Sequence, residues 1–147
     1  VAFSQARAHG AVTVLNPAPA RELPTSLLLL ADIVVPNETE SAELGGTSAL
    51  MKLGVTTVVT TLGADGATIE VGSTSTQIDP HRVTPVDTVG AGDAFIGATC
   101  AELSRGATVT DAATIGAIAG ALATTVKGAV PSLPTRQAVL AAQASAQ

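Results

Sequence analysis

Aromatic residues are nearly missing from this chain: no Trp, no Tyr and two Phe in 147 residues. A core with Phe3 and Phe95 as its only rings is filled by Ala, Val, Leu and Ile. Each buries little area at roughly 25 cal/mol per Å2, so modest stability is expected. A single cysteine, Cys100, rules out a disulfide within the chain and a cysteine-rich metal site. That suits a reducing compartment, and a cytoplasmic location is the expectation. Basic residues are scarce, 7 against 12 acidic for a net charge of -5. They form no run that could track a nucleic-acid backbone or an anionic bilayer, so neither is expected as a partner. The apolar runs are too short or too glycine-broken to span a membrane. The chain also opens on Val1 rather than Met, inside what reads as a helix already under way, which suggests a truncated chain.

What is present reads as one α/β domain. Residues 2–9 fit the end of a helix closed by Gly10, followed by a buried strand over 11–15 that Asn16-Pro17-Ala18-Pro19-Ala20 stops. A short helix over 25–30 leads to a strand over 32–35, ended by Pro36. Asn37 with Glu40 three residues on has the form of a capping box. The same pair also suits a strand-end crevice, where oxygen ligands hold hydrated magnesium or phosphate. The helix that follows breaks at Gly45-Gly46 and ends at Gly54. Residues 55–61 are β-branched almost throughout and fit a central strand. Thr61-Leu62-Gly63-Ala64-Asp65-Gly66 is a turn at its end, and residues 67–71 and 74–78 form a hairpin about Gly72-Ser73. His9 fits an exposed helix end, and His81 a loop. Three further helices are expected over 92–104, over 111–125 with Thr110 or Asp111 as cap, and over 135–146.

The stretch that carries chemistry is Asp87-Thr88-Val89-Gly90-Ala91-Gly92-Asp93. A helix start leaves its first backbone N–H groups without intrahelical acceptors, and the helix dipole adds partial positive charge there. Glycines let an anion approach those groups, and Asp93 at the mouth can accept a proton from an alcohol that attacks phosphorus. A helix cap with two turn glycines explains the same letters. Two other phosphate motifs fail on spacing. A dinucleotide fingerprint needs a third glycine where Phe95 stands, and no Gly-Lys-Ser/Thr ending exists for a Walker-type loop.

Five stretches, taken together and in order, resemble the PfkB carbohydrate kinase family: residues 15–20, Pro36-Asn37-Glu38-Thr39-Glu40, residues 61–66, residues 87–93 and Lys127-Gly128-Ala129-Val130-Pro131-Ser132. The resemblance runs over essentially the whole chain but over only the C-terminal half of a family member. It implies a ribokinase-like α/β fold: a Rossmann-like, doubly wound, mostly parallel sheet flanked by helices, truncated at the N-terminus. It further implies ATP-dependent phosphorylation of the 5-hydroxyl of D-ribose. Asp93 is then the base on the sugar hydroxyl, and the backbone of Gly90, Ala91 and Gly92 the anion hole. Asn37 and Glu40 serve Mg2+ and the phosphates. Thr61, Leu62, Gly63, Ala64, Asp65 and Gly66 contact the nucleotide. Asp87, Val89, Ala123, Val126, Gly128 and Ser132 surround an activating K+. The family's sugar-binding residues are not found, so the chain alone is expected to be inactive on ribose. A non-catalytic nucleotide-binding or interaction domain is the alternative. Association with an N-terminal half, or as a homo-oligomer, is the expected partnership, since a truncated sheet exposes an edge. The segment between Glu40 and Val55 is also shorter than is typical of the family, by about a helix.

Overall fold

The computed structural model describes residues 1–145. The chain divides into two compact units, Val1–Leu62 with Thr68–Thr76, and Gly63–Ala67 with Gln77 onward. A five-stranded sheet runs in the order β1-β2-β3-β4-β5, formed by Val14–Leu15, Ile33–Val34, Thr57–Thr61, Ala67–Val71 and Thr74–Ile78. β1–β2 and β2–β3 are parallel, and the two-residue Gly72-Ser73 connection makes β4–β5 the expected antiparallel hairpin.

In the first unit, helices α1 (Ala2–Ala8), α2 (Thr25–Leu28), α3 (Glu38–Glu43) and α4 (Thr47–Lys52) accompany the sheet. Leu28 and Leu50 pack with Val34 and Val58, while Phe3 and Leu15 close over the cluster. Alternation then sends Ile33, Val35 and Val59 to the opposite face, and these are buried as well. A strand apolar on both faces is what the run over 55–61 implied.

Two strands start later than their sequence suggests, for the same reason. Gly10 and Gly54 take left-handed φ of 73° and 101° after α1 and α4. The next amides, of Ala11 and Val55, turn back to the carbonyls of Ala6 and Leu50 at 3.0 and 3.2 Å. Those residues close a helix and so cannot enter the ladder. The helix expected over 25–30 stops at Leu28, because the Leu30 and Ala31 amides already make shorter turn bonds to Leu27 and Leu28.

The second unit is built on α5 (Ala91–Leu103), α6 (Val109–Ala123) and α7 (Arg136–Ser145). Thr108 caps α6, accepting from the Asp111 amide at 3.1 Å and donating to its carboxylate at 2.7 Å. This corrects the expectation of Thr110 or Asp111: Asp111 is the third residue of the helix, where its amide needs an acceptor. The end expected for α7 at Ala146 lies outside the described residues. Ile115, Ile118, Ala119 and Val139 form the core here. At its edge Glu102 takes a two-pronged hydrogen bond from Arg136 at 2.7 and 3.2 Å, tying α5 to α7. Among the described residues no helix is long and apolar enough to cross a membrane.

Candidate active site

In the first unit the candidate residues collect at the carboxyl ends of parallel strands. The Thr61 amide donates to the Pro36 carbonyl at 3.0 Å, and Asn37 forms a parallel bridge with Thr61. The ends of β2 and β3 therefore stand side by side, the edge where open α/β sheets bind ligands. The Asn16 side-chain amide joins them, donating to the Val35 carbonyl at 2.8 Å. Asn37 forms the expected capping box of α3: its side chain accepts from the Glu40 amide at 2.8 Å, and the Glu40 carboxylate accepts from the Asn37 amide at 2.9 Å. Asn37 is exposed and Glu40 buried; one carboxylate oxygen is committed to the cap, while among the described residues the Asn37 side-chain NH2 has no partner and can meet solvent or a ligand.

β3 ends at Thr61, and after Leu62 the chain makes a single 3-10 turn, Gly63–Asp65. Gln77 donates to the Asp65 carbonyl at 3.1 Å. Gly66, at φ 88°, admits no side chain, since a Cβ there would collide with the Ile78 carbonyl oxygen. Gly63, Ala64 and Asp65 are exposed.

In the second unit Gly90 is the N-cap of α5, left-handed at φ 84° and without a side-chain cap bond. The Ala91 amide reaches the Thr88 carbonyl at 3.2 Å and the Ala94 amide the Gly90 carbonyl at 2.9 Å. Among the described residues nothing accepts from the amides of Gly92 and Asp93, both of which are exposed. Two N–H groups thus stand free at the positive end of a 13-residue helix. Asp93 lies in the same first turn, and its carboxylate takes part in no hydrogen bond or ion pair among the described residues.

The loop before α5 is bound to the loop after α6. Val86 and Asp87 amides both donate to the Thr124 carbonyl, at 2.7 and 3.0 Å. The Asp87 carboxylate accepts from Val89 at 3.0 Å and, 41 residues along the chain, from the Gly128 amide at 2.9 Å. The Gly128 bond first, and then the Val89 bond, hold the Asp87 carboxyl below its ordinary range. Ser132 is buried, donating to the Ala129 carbonyl at 2.8 Å, while its own amide takes the Gly128 carbonyl at 3.2 Å. Asp87, Val89, Gly128 and Ser132 are therefore gathered, with Ala123 and Val126 at the α6 end of the same junction. The Asp87 carboxylate and the backbone carbonyls of these residues are oxygen donors, the chemistry that a K+ ion would require. No group of three or more His, Cys, Asp or Glu that would hold a metal exists among the described residues. A magnesium ion at Asn37 and Glu40 would consequently keep most of its own water.

Sequence reasoning missed Gly116 and Gly120, which let α6 approach the backbone of α5, and Ala129, which backs Gly90 at 3.0 Å from where a Cβ would stand. The Gly-x-x-x-Gly spacing was the available signal for the first two.

A sheet with parallel strands, accompanied by helices, defines an α/β protein. Over residues 1–136 the chain matches the pfkB family carbohydrate kinases, and it belongs to that family. It is 39% identical over 151 residues to a ribokinase of Staphylococcus aureus, a match covering 94% of this chain and 50% of that protein. A ribokinase of Haemophilus influenzae is 38% identical over 147 residues, with 92% and 48% covered. Among solved structures, Arabidopsis thaliana ribokinase complexed with ribose and ATP aligns with a TM-score of 0.88 at 30% identity, covering 95% of this chain and 50% of that one. The fold is ribokinase-like, as the motifs implied. The chain spans about half the length of these relatives.

Proposed function

We propose that this chain is the nucleotide-binding, C-terminal half of an ATP-dependent sugar kinase that phosphorylates the 5-hydroxyl of D-ribose. The observation that carries the proposal is the start of α5: on consecutive residues, two amides without acceptors and a carboxylate without a partner among the described residues. Negative charge on a transferring phosphoryl group is stabilised by preorganised N–H groups, and little else in that reaction needs protein chemistry. Asp93 accepts the proton of the sugar hydroxyl as its oxygen attacks the γ-phosphorus. The backbone of Gly90, Ala91 and Gly92 holds the phosphoryl oxygens. Asn37 and Glu40 act on hydrated Mg2+ and the phosphates, and residues 61–66 on the nucleotide. Asp87, Val89, Ala123, Val126, Gly128 and Ser132 take K+, which neutralises charge beside the α5 start. The family membership and the five motifs in order support these roles. We place the protein in the cytoplasm, in keeping with its single cysteine.

Without sugar-binding residues Asp93 has no hydroxyl to deprotonate, so the chain alone binds nucleotide and does not turn over. The second reading is a nucleotide-binding or interaction domain working with a separate N-terminal half or with its own copy. Isothermal titration of ATP with Mg2+ and K+, using Asn37→Ala as control, tests the proposal. Binding that the substitution weakens supports it; a folded chain that takes up no Mg–ATP refutes it.

A further inference from the structure

We infer that Gly120, on α6, is a positioning residue for the amides of Gly92 and Asp93; the functional side of this rests on the proposal above. α5 and α6 meet through two glycines one turn apart. A Cβ on Gly116 would run into the Thr99 hydroxyl and stand 2.8 Å from the Phe95 carbonyl oxygen. A Cβ on Gly120 would stand 3.1 Å from the Ala91 carbonyl oxygen and 3.5 Å from the Phe95 Cβ. Ala91 is the first residue of α5, and its carbonyl carbon is bonded to the Gly92 nitrogen. The lack of a side chain at Gly120 therefore lets α6 lie against the peptide unit that presents one of the two free amides. Gly90, the N-cap of the same turn, is crowded as well: a Cβ there would stand 3.0 Å from the Ala129 α-carbon.

The two contacts differ in what they hold. At Gly116 the obstacle is buried Thr99 and the middle of α5, so a methyl group there disrupts helix packing as a whole. At Gly120 the obstacle is a helix end, which can yield by a few tenths of an ångström. Alanine also has the higher helix propensity, which offsets the crowding. Gly120→Ala should therefore move the α5 start while leaving the fold intact. Reacting groups that must be held to sub-ångström geometry are sensitive to such a shift.

The test compares wild type, Gly120→Ala and Gly97→Ala. Gly97 is exposed on α5, with nothing within 4 Å of a new Cβ, so it reports propensity without contact. In Gly120→Ala the backbone amide NMR signals of Gly92 and Asp93 should shift and Mg–ATP affinity should fall about tenfold. Its thermal midpoint should stay near wild type, and Gly97→Ala should change neither amide nor affinity. Unmoved Gly92 and Asp93 signals overturn the inference. So does a loss of affinity matched by Gly97→Ala. A wild-type chain that binds no Mg–ATP refutes the proposed function, and the amide shifts still decide whether Gly120 positions the turn.

Discussion

Gly90→Ala puts the start of α5 under the most direct test. Gly90 sits at φ 84°, and a Cβ built there lies 3.0 Å from the Ala129 α-carbon, 3.2 Å from its Cβ and 3.3 Å from its carbonyl oxygen. An alanine in left-handed conformation costs about 1–2 kcal/mol before any contact is counted. The contact adds to it, because two of the three nearest atoms are backbone, and Gly128 beside them is held by the Asp87 carboxylate at 2.9 Å. A total near 2–3 kcal/mol corresponds to a fall of about 4–12 °C in thermal midpoint for a domain of this size. Gly92→Ala is the internal comparison. Its φ is not left-handed and nothing stands within 4 Å of a new Cβ, so alanine's higher helix propensity should leave it as stable as wild type or up to about 1 kcal/mol more stable. With no Trp or Tyr in the chain, far-UV circular dichroism in thermal and urea unfolding is the suitable readout. A Gly90→Ala protein as stable as wild type would show that the left-handed cap and its Ala129 contact do not constrain this turn.

The capping box predicts that Asn37→Ala costs about 1 kcal/mol of stability through loss of the bond from the Glu40 amide. Asn37→Asp, which keeps the acceptor, should hold that stability in the same unfolding assay. The Glu102–Arg136 pair predicts an acid limb. The Arg136 hydrogen bond, with its charge, holds the Glu102 carboxyl below the ordinary range, so the pair's contribution is full at neutral pH. It is lost as pH falls through the depressed value, on the acid side of the ordinary carboxylate range. Thermal midpoints measured from pH 7 down to 3 should fall less steeply in Glu102→Gln, and identical slopes would remove this pair from the account. Ribose-dependent ADP release should be undetectable from the purified chain. Detectable release would overturn its proposed inactivity alone.

Local chemistry fixed much of this protein before any packing is considered. The hairpin over 67–71 and 74–78, the Asn37–Glu40 box, the break at Gly45-Gly46 and the glycine lead into α5 each depend on neighbours within a few residues. A capping box is four residues long and a hairpin turn two, so spacing alone specifies them. The family was legible for a related reason, because its motifs are short and ordered along the chain.

Other features depend on residues far apart, and only the tertiary structure decided them. β1 and β3 are shorter than their β-branched runs because helix-closing bonds take the first amides. Asp87 engages Gly128 across 41 intervening steps of chain, and Arg136 finds Glu102 across 34. Gly116 and Gly120 look like ordinary small residues in an Ala-rich helix until α5 is laid against them. The sequence determined which backbone groups are left free at the start of α5, since the first turn of a helix always leaves some. Where those groups stand was settled by the close approach of a second helix and a distant loop, because backbone position is set by whatever packs against it.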